Sequence, residues 1–249
     1  LFGGVGEAID RALAKFDVVA AVPAQSCCGL PAWGIGAEHA AQAAAAKFVE
    51  AFRGEDYDAI LTPCASCAAH LQQTLNLGAP VSSPAIAGRT VFLTGSTGST
   101  RSTGSGEGAL VAEAAGLAAK VEDLFSWLAR REPAFDLRGL RVAVHLPCHA
   151  RRDVRDGAAV LRVLAQSGAD IIQLPDNLDA RCCGMGGSFG ARYPDLSRQI
   201  AAPKIEAMLA AKPDVIVTNC TGCLLQLHDA LDAAGAAIPV RHASELLAP

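Results

Sequence analysis

The sequence predicts an α/β protein of two pseudo-symmetric Rossmann-like halves with parallel sheets, and three observations support this. Short apolar runs alternate with longer Ala-rich segments of helical period, the pattern of strand–helix–strand units. These units occur twice in the same order. Cysteine motifs follow the apolar runs, so the chemistry-bearing residues fall at the carboxyl ends of strands, where α/β folds hold their ligands.

The repeat is clearest in two segments. Tyr57-Asp-Ala-Ile-Leu-Thr-Pro-Cys64-Ala-Ser-Cys67 parallels Pro213-Asp-Val-Ile-Val-Thr-Asn-Cys220-Thr-Gly-Cys223, each a short buried strand delivering Cys-x-x-Cys. Upstream, Val18-Val-Ala-Ala-Val-Pro23 leads into Cys27-Cys28-Gly29, as Asp170-Ile-Ile-Gln-Leu-Pro175 leads into Cys182-Cys183-Gly184. Between the two motifs of each half lies a predicted helix, over 38–52 in the first and 196–211 in the second, Ala-rich with an apolar stripe. Strand, helix, strand implies parallel pairing.

The second half carries one more unit in front: the strand Leu140-Arg-Val-Ala-Val144, ending at Cys148, and a helix over 156–167. The first half begins at the matching helix, since residues 6–13 align with 157–164 at an offset of 151. The register therefore places the counterpart of Cys148, on its own apolar strand, just upstream of Leu1. Between the halves, residues 94–106 form a Gly/Ser/Thr stretch without apolar period, read as a mobile loop. No Lys-Ser or Lys-Thr follows its glycines at phosphate-loop spacing. Residues 111–131 are read as one connecting helix with Leu117, Val121, Leu124 and Leu128 on one face, and Trp127 as a core residue. The domains are then 1–92, the first half, incomplete at its start; 93–135, loop and connecting helix; and 136–249, the second half.

Composition excludes several functions. With 51% hydrophobic and 18% charged residues the chain can bury a substantial core. Its net charge of −4 leaves no broad positive field, so no nucleic-acid partner is expected. No apolar run approaches the ~20 residues of a membrane span. Nine cysteines, an odd number, grouped as Cys-Cys and Cys-x-x-Cys without a secretory signal, point to a reducing, cytoplasmic setting and to metal ligation, with membranes reached only through partner subunits.

The cysteines converge by spacing. Cys148 is followed after 33 residues by Cys182-Cys183 and after a further 36 by Cys220 and Cys223; Cys27-Cys28 is followed after 35 by Cys64 and Cys67. Iron–sulfur clusters require several thiolates, because soft sulfur donors hold iron and share charge with sulfide. Adjacent parallel strand ends bring five thiolates of the second half together: Cys148, Cys182, Cys183, Cys220 and Cys223. The first half offers Cys27, Cys28, Cys64 and Cys67, which suit a second [4Fe–4S] cluster or a zinc ion. Gly29 and Gly184 allow close backbone approach, residues 184–190 supply N–H groups, and a helix beginning at Cys64 or Cys220 is expected to lower the thiol pKa.

This spacing resembles the cysteine-rich domain family named for Cys-Cys-Gly, found in the cysteine-rich component of heterodisulfide reductase, the glycolate oxidase iron–sulfur subunit and lactate-utilisation iron–sulfur proteins. The second half matches the family pattern in full and the first from Cys27 onward, and the tail, with Ile238-Pro-Val-Arg-His242-Ala-Ser-Glu-Leu-Leu247, is similar to the hydroxy-acid oxidase branch. The resemblance implies two halves whose five-cysteine motif holds a [4Fe–4S] cluster that can be of a non-cubane kind. It also implies electron relay from a flavoprotein oxidising a 2-hydroxy acid such as glycolate or lactate, beside a ferredoxin-like iron–sulfur partner. Two alternatives stay open: a heterodisulfide-reductase-like catalytic subunit cleaving a disulfide at its clusters, and a zinc-stapled interaction module. His145 and His149, flanking Cys148, either tune a cluster or pack in the core; His39, His70, His228 and His242 read as surface or capping residues.

Overall fold

The computed structural model describes residues 3–24, 27–54, 57–75, 105–132 and 135–247. In chain order the first elements are α1 (Gly3–Leu13), α2 (Leu30–Gly34), α3 (Glu38–Ala51), β1 (Ile60–Thr62), α4 (Ala65–Leu75), α5 (Ser105–Lys120), β2 (Val121–Asp123) and α6 (Leu124–Ala129). Next come β3 (Arg141–Val144), α7 (Cys148–Arg152), α8 (Ala159–Gln166), β4 (Asp170–Ile172), α9 (Asp176–Asp179), α10 (Phe189–Arg192) and α11 (Pro194–Ala210). The chain closes with β5 (Val215–Thr218), α12 (Thr221–Ala233), β6 (Val240–His242) and α13 (Ala243–Leu247). Two compact units form, a larger one from residues 1–21, 62–66 and 123–249 and a smaller one from 22–61 and 67–122.

The larger unit is organised on a parallel sheet of order β4-β3-β5-β6. Val142 of β3 sits opposite Ile171 of β4 and Val215 of β5, and Ile216 of β5 opposite Val240 of β6. All four residues of β5 are buried, which is why it reads as an unbroken apolar run. Val160, Val163 and Leu164 of α8, with Leu227 and Leu231 of α12, are fully or almost fully buried. The chain runs from β3 outward to β4 and then returns to the other side of β3 for β5. The carboxyl ends of β3 and β5 therefore flank a topological switch point, the place where such sheets open a ligand crevice. The His145 N–H donates to Val217 O at 2.8 Å, so β3 and β5 stay joined to the edge of that crevice.

In the smaller unit, Ala45, Phe48, Val49 and Phe52 from α3 pack with Leu71 and Leu75 from α4 and with Ala114, Leu117 and Ala118 from α5. Most of β1 and β2, which pair in a two-stranded sheet, also belongs to this unit.

The α/β class with parallel strands is realised, and α3, α11, β3 and β5 fall within a few residues of expectation. Trp127 is a core residue, its ring edge-on to Phe16 at 5.4 Å and under the Arg131 guanidinium at 3.6 Å. Two expectations need correction. Residues 111–131 are not one helix, because Val121–Asp123 is drawn into a strand beside β1. Asp123 then caps α6, its carboxylate accepting from Phe125 N at 3.0 Å and Ser126 N at 3.1 Å. The apolar run at 18–22, counterpart of β4 in the repeat, forms no strand: Val18, Val19 and Val22 are exposed. A strand needs a hydrogen-bonded neighbour, and the described residues of the first half contain no counterpart of β3 to supply one. The low-complexity stretch 94–104 lies outside the described residues, while Ser105 and Gly106 open α5.

Candidate metal centre

Four backbone corners of the larger unit carry thiols. After β3, Pro147 caps α7 and Cys148 is its first residue, exposed, with Sγ 3.9 Å from His149 Nδ1. The His149 hydrogen bond holds the Cys148 thiol below its ordinary range. After β5, extended Cys220 is the N-cap of α12 and Cys223 lies one turn in, which brings both thiols to the helix start. The third corner is Cys182-Cys183-Gly184, where Gly184 takes φ +93° and its N–H donates to Cys182 Sγ at 3.3 Å. Ser197 Oγ of α11 fixes this turn by donating to Gly184 O at 2.8 Å. Cys64, immediately before α4, forms the fourth, with Thr221 Oγ1 3.9 Å from its Sγ.

The thiols form a connected row. Cys183 Sγ and Cys223 Sγ lie 3.3 Å apart, within hydrogen-bond distance, and Cys223, Cys183 and Cys220 are buried. Cys182 is raised mainly by its bond to Cys183, then by burial and by the neighbouring Cys148. Cys183 is lowered, because Cys182 and Cys223 both direct hydrogen bonds at its sulfur. Cys223 is raised by the bonds to Cys183 and Cys220 and by burial. For Cys220 the Cys223 bond acts downward, but the interaction with Cys64 and burial outweigh it and push the thiol up to about 12. The expected lowering at the start of α12 is therefore overturned at Cys220, since neighbouring sulfurs and burial exceed the helix-end effect. Sulfurs this close cannot all ionise alone, and a cationic metal core relieves their repulsion. A soft, all-sulfur donor set of this kind fits iron–sulfur or zinc ligation.

The structure thus brings together all five cysteines of the second motif and adds Cys64. Of the remaining first-half cysteines, Cys27 is exposed, Cys28 is buried and Cys67 is partly buried, all three in the smaller unit. There Cys28 and Cys67 belong to the core formed by α3, α4 and α5.

Several polar side chains also surround the row. Ser66 Oγ lies 3.2 Å from Cys220 Sγ and 3.0 Å from His149 Nδ1. Asn219 donates from Nδ2 to Asp123 Oδ1 at 3.2 Å, and its backbone carbonyl accepts from Ala65 N at 2.9 Å, tying the Cys64 corner to the Cys220 corner. Lys204 of α11, only 1% exposed, reaches His145. His70 needs correction, since it is buried, whereas His242 is buried in a capping role. It caps α13, accepting from Ser244 N at Nδ1. A repeat at an offset of 119 would have flagged two of these positions: Val121-Glu-Asp123 and Val240-Arg-His242 both lead into a short helix, α6 and α13.

The fold and the paired motifs are those of the cysteine-rich domain family, CCG, which matches residues 3–72 and 142–228, and the chain belongs to it. Among its relatives, the lactate utilization protein A of Geobacillus thermodenitrificans is 28% identical over 252 residues, covering 99% of this chain and 92% of the relative. That of Geobacillus kaustophilus is 29% identical over 249 residues, covering 98% and 91%. That of Shouchella clausii is 26% identical over 227 residues, covering 90% and 82%. Among the described residues no helix is long and apolar enough to cross a membrane.

Proposed function

We propose that this chain is an iron–sulfur electron-transfer subunit of an oxidoreductase complex, accepting electrons from a flavin-dependent 2-hydroxy-acid dehydrogenase of the lactate class. The observation that carries the reading is the row of sulfurs at the switch point of the sheet, with three buried thiols at its centre and exposed Cys148 and Cys182 at its rim. Cys148, Cys182, Cys183, Cys220 and Cys223 are the residues assigned to a [4Fe–4S] cluster of the second half. The motif Cys27, Cys28, Cys64 and Cys67 is assigned, on its sequence spacing, to a second metal centre. Such a cluster stores and releases single electrons over a potential range set by charge, hydrogen bonds and exposure. The chain's own residues hold the sulfurs in place, through the Gly184 turn, the start of α12 and the Asn219 strap, and keep water from the buried three. The lactate class rests on the names of the relatives over nearly the whole chain.

The test is electron acceptance. Full-length protein reconstituted anaerobically with iron and sulfide is mixed with a flavin-dependent lactate dehydrogenase and lactate. Bleaching of the visible absorbance on adding lactate, to the level reached with dithionite, is the expected result. A protein that dithionite bleaches but this donor leaves unchanged would remove the proposed donor. Colourless protein binding zinc alone would remove electron transfer altogether.

A further inference from the structure

One buried cation stands behind the sulfur row. Lys204 has Nζ 2.7 Å from the backbone oxygen of Asp179 and 3.0 Å from His145 Nδ1. Among the described residues no carboxylate forms an ion pair with it, and burial lowers the amine to about 8. A buried lysine whose neighbouring carboxylate, Asp179, is ion-paired to Arg151 instead is costly and calls for a reason. His145 adjoins both Lys204 and the sulfurs: the ring is 1% exposed, and a ring nitrogen, Cys183 Sγ and Cys223 Sγ all lie within 4.8 Å of one another. Nε2 is buried and makes no hydrogen bond.

The tautomer follows from donor chemistry. An ammonium only donates, so Nδ1 of a neutral ring must accept from Lys204 and the ring proton must sit on Nε2. That leaves one buried N–H without a hydrogen-bond partner, on a ring that neighbours the Cys183 and Cys223 sulfurs. We propose that Lys204 and His145 form a two-residue relay that fixes the ring tautomer and directs one N–H at Cys183, so that the pair sets the reduction potential of the metal centre. The proposal rests on the assignment of Cys183 as a cluster ligand. Lys204 is a positioning residue that acts through the ring. An N–H donor at a ligand sulfur withdraws charge and favours the reduced, more negative state, so the relay raises the potential. With its proton on Nε2 the ring is a donor to sulfur and not itself a metal ligand.

Two measurements decide this. Nitrogen-15 NMR of His145 in the metal-free full chain should show Nε2 protonated and Nδ1 as an acceptor; a ring protonated on Nδ1 overturns the relay. EPR-monitored redox titration of the reconstituted protein should show a lower potential in His145→Phe with iron retained. It should show a lower potential in Lys204→Met and a much smaller shift when Lys204→Met is added to His145→Phe, with Lys204→Arg close to wild type. Equal Lys204→Met shifts in both backgrounds, or an unmoved potential, would show that Lys204 does not act through the ring. Loss of iron in His145→Phe alone would make the ring a ligand. If wild-type protein takes up no iron, the electron-transfer reading falls, and the tautomer measurement alone decides the relay.

Discussion

Asp123 is 2% exposed, and its carboxylate accepts from Phe125 N, Ser126 N and Asn219 Nδ2. Burial nevertheless pushes it up to about 7, against those three bonds. The unfolded carboxyl titrates near 4, so between about pH 4 and 7 the native state binds the extra proton and stability falls as pH rises. In denaturant unfolding of metal-free protein, wild type is expected to lose stability relative to Asp123→Asn across that window, by up to about 1.4 kcal/mol per pH unit. Parallel profiles would mean that Asp123 stays ionised throughout. At this scale the sequence was unevenly legible. The cysteines announced themselves by spacing, because ligation needs several of one uncommon residue type at fixed offsets. Asp123 and Lys204 did not, because a single charged residue in an apolar helical pattern reads as the solvated face, and only the three-dimensional packing shows it turned inward.

The repeat is visible in backbone geometry within each half. Gly29 has φ +91° and Gly184 φ +93°, each just after its Cys-Cys pair. A Cβ on Gly29 would lie 3.1 Å from Ala41 O of α3, and one on Gly184 only 2.3 Å from Ser197 O of α11. Left-handed backbone costs an L-residue roughly 1–2 kcal/mol, and a clash against backbone adds to it. Gly184→Ala is therefore expected to destabilise by about 3 kcal/mol or more and Gly29→Ala by about 1–2 kcal/mol, measured by urea unfolding. Equal losses would show that the Ser197 contact relaxes freely. Elements with their own apolar pattern, such as β5 and α11, were legible at this scale. The break at Val121–Asp123 and the absent strand at 18–22 were not, because strand formation depends on a neighbour that local periodicity does not reveal.

For the whole molecule, the family match over residues 3–72 and 142–228 spans both motifs, and the central claim is that the second motif holds an iron–sulfur cluster and the first a second metal centre. The parallel sheet and its switch point explain why cysteines 75 positions apart, Cys148 and Cys223, can serve one centre. The most direct test is the iron and acid-labile sulfide content of the anaerobically reconstituted full chain, measured for wild type and for Cys182→Ser/Cys183→Ser. The account predicts iron and sulfide in about equal amounts in wild type, and the loss of at least about half of each in the double variant, any remainder being held by the first motif. Zinc in place of iron, iron without sulfide, or a double variant that keeps its full iron content would contradict it.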